Sequence, residues 1–288
     1  MTRREFLAAA AAPALAGAAT RPLLCIFSKH FGTLDYEQLA KTSRQLGFEG
    51  VDLTTRPQGH VLPERVAQDL PRALQAIRSQ GLEVPMITTE LRSASHPTAR
   101  PIMSAAGRLK IPYLKPGYWR YGERSAETVL AETQRDLRGL VGLARECGVE
   151  LGFHNHSGDY VGSPVWDTRE LIRDLDPKWI GYYFDPAHAT VEGGLAGWQV
   201  ALQLVLPRLK MIAVKDFYWE KAEGRWRTKW CPMGEGMVDW PKLFSAFAAA
   251  RFSGPISLHV EYNPPDLLAA VARDLAFVKK QVNAAYRA

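Results

Sequence analysis

The amino-acid sequence predicts an α/β chain folded as a single (β/α)8 TIM barrel, on three observations. First, short apolar or β-branched runs begin near Pro22, Glu49, Leu82, Leu109, Val149, Trp179, Leu209 and Pro255, a spacing of about thirty residues that fits one strand and one helix each time. Second, the segments between them carry helical apolar periodicity and recognisable caps, with no strand-only or helix-only block, which is the pattern of a closed parallel barrel. Third, an open doubly wound sheet would place a glycine-rich phosphate loop after its first strand, whereas residues 23–30 run only into Phe31-Gly32. With 288 residues, 47% hydrophobic and 23% charged, the chain has ample material for one such core, and a disordered or fibrous protein is excluded.

Residues 1–20 read apart from the barrel. Thr2-Arg3-Arg4-Glu5-Phe6-Leu7 precedes an alanine-rich stretch ending in Ala16-Gly17-Ala18, a small-residue cleavage site. The pattern resembles a twin-arginine export signal, which implies handling by the twin-arginine translocation machinery and a periplasmic destination for the barrel of residues 21–288. As a membrane span it is too short and too weakly apolar, since roughly 20 strongly apolar residues are needed.

The barrel elements follow in order. Asp35 and Gln38 form a capping-box pair with Leu34 and Leu39 placed as a staple, and Gly47 closes that helix before a strand over residues 48–53. Pro63 opens a helix that carries Leu70, Leu74 and Ile77 and stops at Gly81; Leu137, Leu140, Val141 and Ala144 stripe a longer one ending at Gly148. Asp167 and Glu170 are expected to cap a fifth helical segment, Asp239 with Pro241 opens another, and Pro264-Pro265-Asp266 starts the last.

The formal net charge of +6 is dispersed, with no basic run of five or more, so it reads as a solvated surface and no nucleic-acid partner is expected. Cys25, Cys147 and Cys231 show neither zinc-ribbon nor CxxC spacing, so cysteine does not organise the fold.

In a barrel of this kind chemistry gathers at the C-terminal strand tips, and the polar residues obey this. Glu90 closes the third strand, Lys115 the fourth, His154-Asn155-His156 the fifth, Asp185 the sixth, Lys215-Asp216 the seventh and His259-Val260-Glu261 the eighth. Residues two apart share a strand face, so His154 with His156, and His259 with Glu261, can look into the mouth together. Such a cluster serves a divalent metal, an acid/base pair, or a polar network that fixes packing.

Four ordered segments carry a family resemblance: Gly181-Tyr182-Tyr183-Phe184-Asp185-Pro186-Ala187-His188, Val214-Lys215-Asp216-Phe217, Pro232-Met233-Gly234-Glu235-Gly236-Met237-Val238-Asp239-Trp240 and Gly254-Pro255-Ile256-Ser257-Leu258-His259-Val260-Glu261-Tyr262. They resemble the sugar phosphate isomerase/epimerase-like TIM barrels of the xylose isomerase-like superfamily, across essentially all of residues 22–288. The resemblance implies one divalent cation, Mn2+ first with Mg2+, Co2+ or Zn2+ as alternatives, bound to vicinal oxygens of a sugar or keto-sugar. By motif its ligands fall on His154, where the family carries a Glu, and on Asp185 and Glu261. The family's seventh-strand His falls on Ala213. With that ligand absent, the mouth can instead be metal-free and bind sugar hydroxyls directly.

The expected chemistry is proton abstraction next to a carbonyl through an enediolate, giving isomerisation or epimerisation, with elimination by a keto-glycoside lyase or dehydratase as an alternative. Glu261 is the expected base, and His154 or His156, near the ordinary histidine pKa, the opposing acid/base group. His188, Lys215, Asp216, Trp119, Glu90 and Trp230 are expected to touch substrate. Against these stand a Lys215–Asp216 ion pair at the rim, His259 orienting Glu261, and Glu90 as a cap or in solvent. The excursion over residues 217–238, with Trp219, Trp226 and Trp230 among basic residues, reads as a substrate lid or as a contact in a homo-oligomer. Two other classes share the barrel. A nuclease would need many more metal ligands than seven histidines and these strand tips supply, while a periplasmic carbohydrate-binding protein would bind without turnover.

Overall fold

The structure, a computed structural model, describes residues 21–286; the export signal expected over residues 1–20 lies outside the described residues. The strands are β1 (Leu24–Phe27), β2 (Gly50–Thr54), β3 (Glu83–Thr88), β4 (Tyr113–Lys115), β5 (Glu150–His154), β6 (Ile180–Phe184), β7 (Leu209–Val214), β8 (Asp216–Ala222), β9 (Arg225–Cys231) and β10 (Ile256–Leu258). The helices are α1 (Tyr36–Leu46), α2 (Val66–Ser79), α3 (Ala99–Arg108), α4 (Ala126–Cys147), α5 (Val165–Ile172), α6 (Pro186–Gly193), α7 (Gly197–Val205), α8 (Trp240–Ala249) and α9 (Leu267–Ala285). Eight strands close a parallel barrel in the order β1-β10-β7-β6-β5-β4-β3-β2, β1 pairing with both β2 and β10, so the expected (β/α)8 barrel is the fold.

The local signals act as their chemistry dictates. Asp35 and Gln38 complete a capping box at α1, and Gly47 ends it at φ 89°, a left-handed position that favours glycine. Asp239 and Asp266 accept the backbone N–H of Lys242 and Ala269 at the starts of α8 and α9. Two expectations are corrected. The fourth strand begins at Tyr113 and not near Leu109, because Leu109 ends α3 and Lys110 takes a left-handed φ of 58° before the chain can extend. Asp167 does not cap α5: the helix starts after Pro164, and the Asp167 carboxylate accepts from the Gly162 N–H at 2.9 Å and the Tyr121 hydroxyl at 2.6 Å.

The excursion after β7 is an antiparallel hairpin, β8 with β9, turned by Glu223 and Gly224, both at positive φ. That turn twists in the sense strands prefer, and Gly supplies one of its two unusual conformations at no steric cost. Between the barrel and its helices lies the main core. Inside the barrel, Met86, Tyr183, Met211 and Ala213 form a separate plug, and Gly152 lacks a side chain where a Cβ would lie 2.0 Å from Met211 Cε. Above the plug sits a buried polar layer. Asp52 accepts from Thr88 Oγ1 at 2.7 Å, Ser257 Oγ at 2.8 Å and the Tyr183 hydroxyl at 3.1 Å. The barrel mouth opens above this layer. Among the described residues no helix is long and apolar enough to cross a membrane.

Candidate active site

The site is anchored where β5 meets β6. Asn155, just past β5, accepts the Asp185 N–H at 2.8 Å and donates to the Asp185 carbonyl at 2.9 Å. Asp185 also caps α6, its Oδ1 accepting the His188 N–H at 3.0 Å with Pro186 in the first turn. Those bonds leave Oδ2 facing the mouth. There Lys215 Nζ lies 3.0 Å away, His154 Nε2 3.4 Å and His188 Nε2 3.8 Å. Burial alone would raise the Asp185 pKa; the Lys215 ammonium, with His188 and His154, outweighs it and holds the carboxyl well below the usual range.

The histidines are packed as neutral rings. The Tyr118 hydroxyl and His154 Nδ1 share a hydrogen bond; because the Asp185 carboxylate 3.4 Å from Nε2 can only accept, the ring proton belongs on Nε2 and the hydroxyl is the donor. Burial pushes His154 down to about 3 and His156 down to about 4. The expectation of a histidine near its ordinary pKa, working as acid or base, is therefore corrected: desolvation suppresses the imidazolium. His156 donates Nδ1–H to the Ser157 carbonyl at 2.9 Å, so its Nε2 carries a free lone pair. His188 Nδ1 lies 2.8 Å from Ser157 Oγ and its ring packs tilted against His156, centroids 4.0 Å apart. His259 stacks on Phe27 at 4.4 Å. Its Nδ1 stands 3.9 Å from Glu261, beyond hydrogen-bond reach.

Glu261 is held instead by Lys29, Nζ to Oε2 3.0 Å. Burial would raise its pKa, but Lys215 and Lys29 bring it below the usual carboxylate range, so it is ionised at neutral pH. Glu261, His154, His156, His188, Lys215 and Trp230 all line one cavity of about 220 Å³. Asp185 stands behind Lys215, fully buried.

Three expected substrate contacts lie elsewhere. Trp119 turns outward, stacked on Phe153 with its Nε1 donating to Asp136 at 3.1 Å, because its neighbour Tyr118 takes the inward face. Glu90 sits in solvent at the rim, 3.4 Å from Arg56; with Trp119 it lines a neighbouring cavity of about 520 Å³. Asp216 points into the base of the hairpin, where it accepts from the N–H groups of Phe217 (2.9 Å), Gly234 (3.0 Å) and Val238 (3.4 Å) and from Trp240 Nε1 (2.8 Å). It latches the excursion shut, and the Lys215–Asp216 rim pair does not form because Lys215 takes Asp185. The functional residues that sequence reasoning passed over are Lys29 and Arg56, just past β1 and β2, and Lys115, legible as a strand tip without a role. Asp52 carried its own signal, a charge in the middle of an apolar strand.

The expected metal set of His154, Asp185 and Glu261 does not fit a divalent cation. An ammonium stands 3.0 Å from the one shared carboxylate oxygen, His154 presents a proton at Nε2, Glu261 is tied to Lys29, and the seventh-strand ligand position is the buried methyl of Ala213. Among the described residues, no group of three or more His, Cys, Asp or Glu side chains is arranged to hold a metal ion.

Fold and site together define a parallel barrel whose polar side chains converge on its C-terminal mouth. The chain belongs to the xylose isomerase-like TIM barrel family, whose model matches residues 40–281. It is 23% identical over 134 residues to an inosose dehydratase of Lactiplantibacillus plantarum, a match covering 42% of this chain and only 43% of that enzyme. Its fold is similar to that of an L-ribulose 3-epimerase (TM-score 0.73, 15% identity, 92% of this chain and 96% of the other). It is also similar to that of a 3-keto-D-glucoside 4-epimerase from E. coli (TM-score 0.72, 16% identity, 90% of this chain and 100% of the other).

Proposed function

We propose that this barrel is a sugar or keto-sugar isomerase or epimerase that removes the proton next to a carbonyl. One observation carries the reading: an ionised carboxylate, Glu261, and a buried ammonium, Lys215, line the same cavity. At about 220 Å³ it falls below the ~300–1,000 Å³ of drug-sized pockets and suits one small sugar. Glu261 takes the C–H proton as the electron pair moves onto the carbonyl oxygen, and the fixed Lys215 charge stabilises the resulting enediolate. Protonated Glu261 then returns the proton to the neighbouring carbon, which is isomerisation, while epimerisation requires a proton delivered to the opposite face of the same carbon by a different group. His156, with Nε2 free, stands just past β5, three places around the ring from Glu261 just past β10, and can relay a proton from solvent water to that opposite face. The unpartnered Nε2 atoms of His154 and His188 are available to sugar hydroxyls.

Similarity to an inosose dehydratase favours a second outcome, loss of a β-hydroxyl from the same intermediate. Incubation in D2O with L-ribulose, D-fructose and a 3-keto-glucoside tests both. The wild type incorporates deuterium at the carbon beside the carbonyl and Glu261→Gln does not; product analysis then separates isomer from dehydrated sugar. No exchange with any of the three sinks the enolisation reading in favour of a binding protein. For location, Arg3-Arg4 and the alanine-rich stretch support a periplasmic destination. Substituting Arg3→Lys and Arg4→Lys should retain the protein in the cytoplasm on fractionation.

A further inference from the structure

The groups assigned to proton transfer stand just past the ends of β5, β7 and β10. The opposite side of the mouth, built by β2, β3 and β4, carries charge that this chemistry does not use. Lys115 ends β4, is 3% exposed, and points its ammonium across the Tyr118 ring at 3.3 Å into the cavity. Among the described residues its Nζ has neither a hydrogen-bond acceptor nor a carboxylate within ion-pair distance. Arg56, just past β2, lines the same cavity with its Nε buried and unpartnered, while its other arm holds Glu90.

The remaining charges are already matched. Lys29 is engaged by Glu261 and Lys215 by Asp185. Asp52, beneath the mouth, spends its oxygens on Thr88, Ser257 and Tyr183. Four cationic side chains thus line a cavity with one carboxylate among them. A buried ammonium without a counter-ion is costly unless a ligand supplies the opposite charge.

We propose that Lys115 and Arg56 bind a carboxylate of the substrate, so that this barrel takes an acidic sugar, a uronate or an aldonate, in place of a neutral one. The inference rests on the proposed cavity but not on the chemistry assigned to Glu261. One ammonium and one guanidinium N–H match the two oxygens of a carboxylate, whereas a phosphate presents three oxygens to the same two donors. A carboxylate held on the β4 side leaves the far end of the sugar beside Lys215 and Glu261. Consistent with a missing anion, burial and the neighbouring Arg56 charge push the Lys115 pKa down to about 7.

Calorimetric titration of the full chain with D-glucuronate, D-galacturonate and D-gluconate, against D-glucose, D-galactose and inorganic phosphate, tests this. At least one acid should bind about tenfold or more tightly than its neutral counterpart. Lys115→Met should abolish that preference, and Lys115→Arg, which keeps a cation, should retain most of it, with circular dichroism used to check that both variants fold. Equal affinity for acids and neutral sugars, or a preference that survives Lys115→Met, overturns the proposal, and phosphate binding tighter than every carboxylate overturns it in favour of a phosphorylated substrate. Acid binding without deuterium exchange would leave the anion site standing and remove the enolisation reading. Exchange on neutral ketoses without acid preference would do the reverse.

Discussion

Lys215 Nζ lies 3.0 Å from Asp185 Oδ2 at the tips of the adjacent strands β7 and β6, and both side chains are out of solvent. The pair closes the deep end of the mouth with one fixed positive charge. It also places a positive charge two residues beyond Ala213 on the same inward face, since Met211, Ala213 and Lys215 alternate inward along the strand.

Breaking the pair from one side should be expensive. Lys215→Met strands a buried carboxylate, and urea unfolding should show a loss of about 3–5 kcal/mol. Adding Asp185→Asn removes the orphaned charge, so the double variant should be more stable than Lys215→Met alone. A double variant less stable than the single would mean that the pair does not carry the charge balance described.

The same ammonium bears on metal content. Dialysis against Mn2+ followed by elemental analysis should find well under one ion per chain, and deuterium exchange, where present, should survive chelator treatment. Lys215→Ala, which clears the ammonium from Asp185, His154 and His188, should bind Mn2+ more tightly than the wild type. Stoichiometric Mn2+ in the wild-type protein would contradict the reading of the donor set.

The hairpin latch makes a separate claim. Asp216 gathers four donors from three segments, so Asp216→Ala leaves several buried N–H groups unmet and should cost about 2–4 kcal/mol. The loss should be local: amide exchange should quicken in β8, β9 and residues 232–238 while the barrel strands keep their protection. Gly236→Ala should mimic it, because a Cβ there would lie 2.0 Å from Asp216 Oδ1.

The alternation of strand and helix was legible because each βα unit carries its own local punctuation, as Asp35, Gln38 and Gly47 show. The strand tips were legible for the same reason, since a polar residue ending an apolar run must face the mouth or water. What local signals could not show is partner choice. Lys215 is next to Asp216 in sequence, yet alternation sends the two to opposite faces, one to Asp185 and the other to Trp240. Tyr118 and Trp119 divide in the same way, and only the packing of Trp119 on Phe153 decides which looks inward. The depressed histidine pKa values arise from burial by neighbours distant in the chain, which no spacing rule encodes.

Asp52 supplies a pH signature independent of catalysis. Burial pushes its pKa up to about 6, with hydrogen bonds from Thr88, Ser257 and Tyr183 and the Lys115 charge opposing the rise. The folded state therefore holds this proton more tightly than the unfolded chain. The stabilisation is fully present below the ordinary carboxylate pKa and is lost as pH rises through about 6; ionised Asp52 then costs on the order of 3 kcal/mol. The buried imidazoles act with the opposite sign, since their lowered pKa values remove stability as pH falls through the ordinary histidine range. Comparison with Asp52→Asn cancels their contribution, because the variant keeps the shape and the histidines but cannot ionise. Urea unfolding at about pH 5 and about pH 7.5 should show Asp52→Asn gaining on the wild type by about 1.4 kcal/mol at the higher pH, the part of the titration that lies between pH 5 and the folded pKa of about 6. Parallel pH dependence in the two proteins would mean that Asp52 does not hold its proton in the folded barrel.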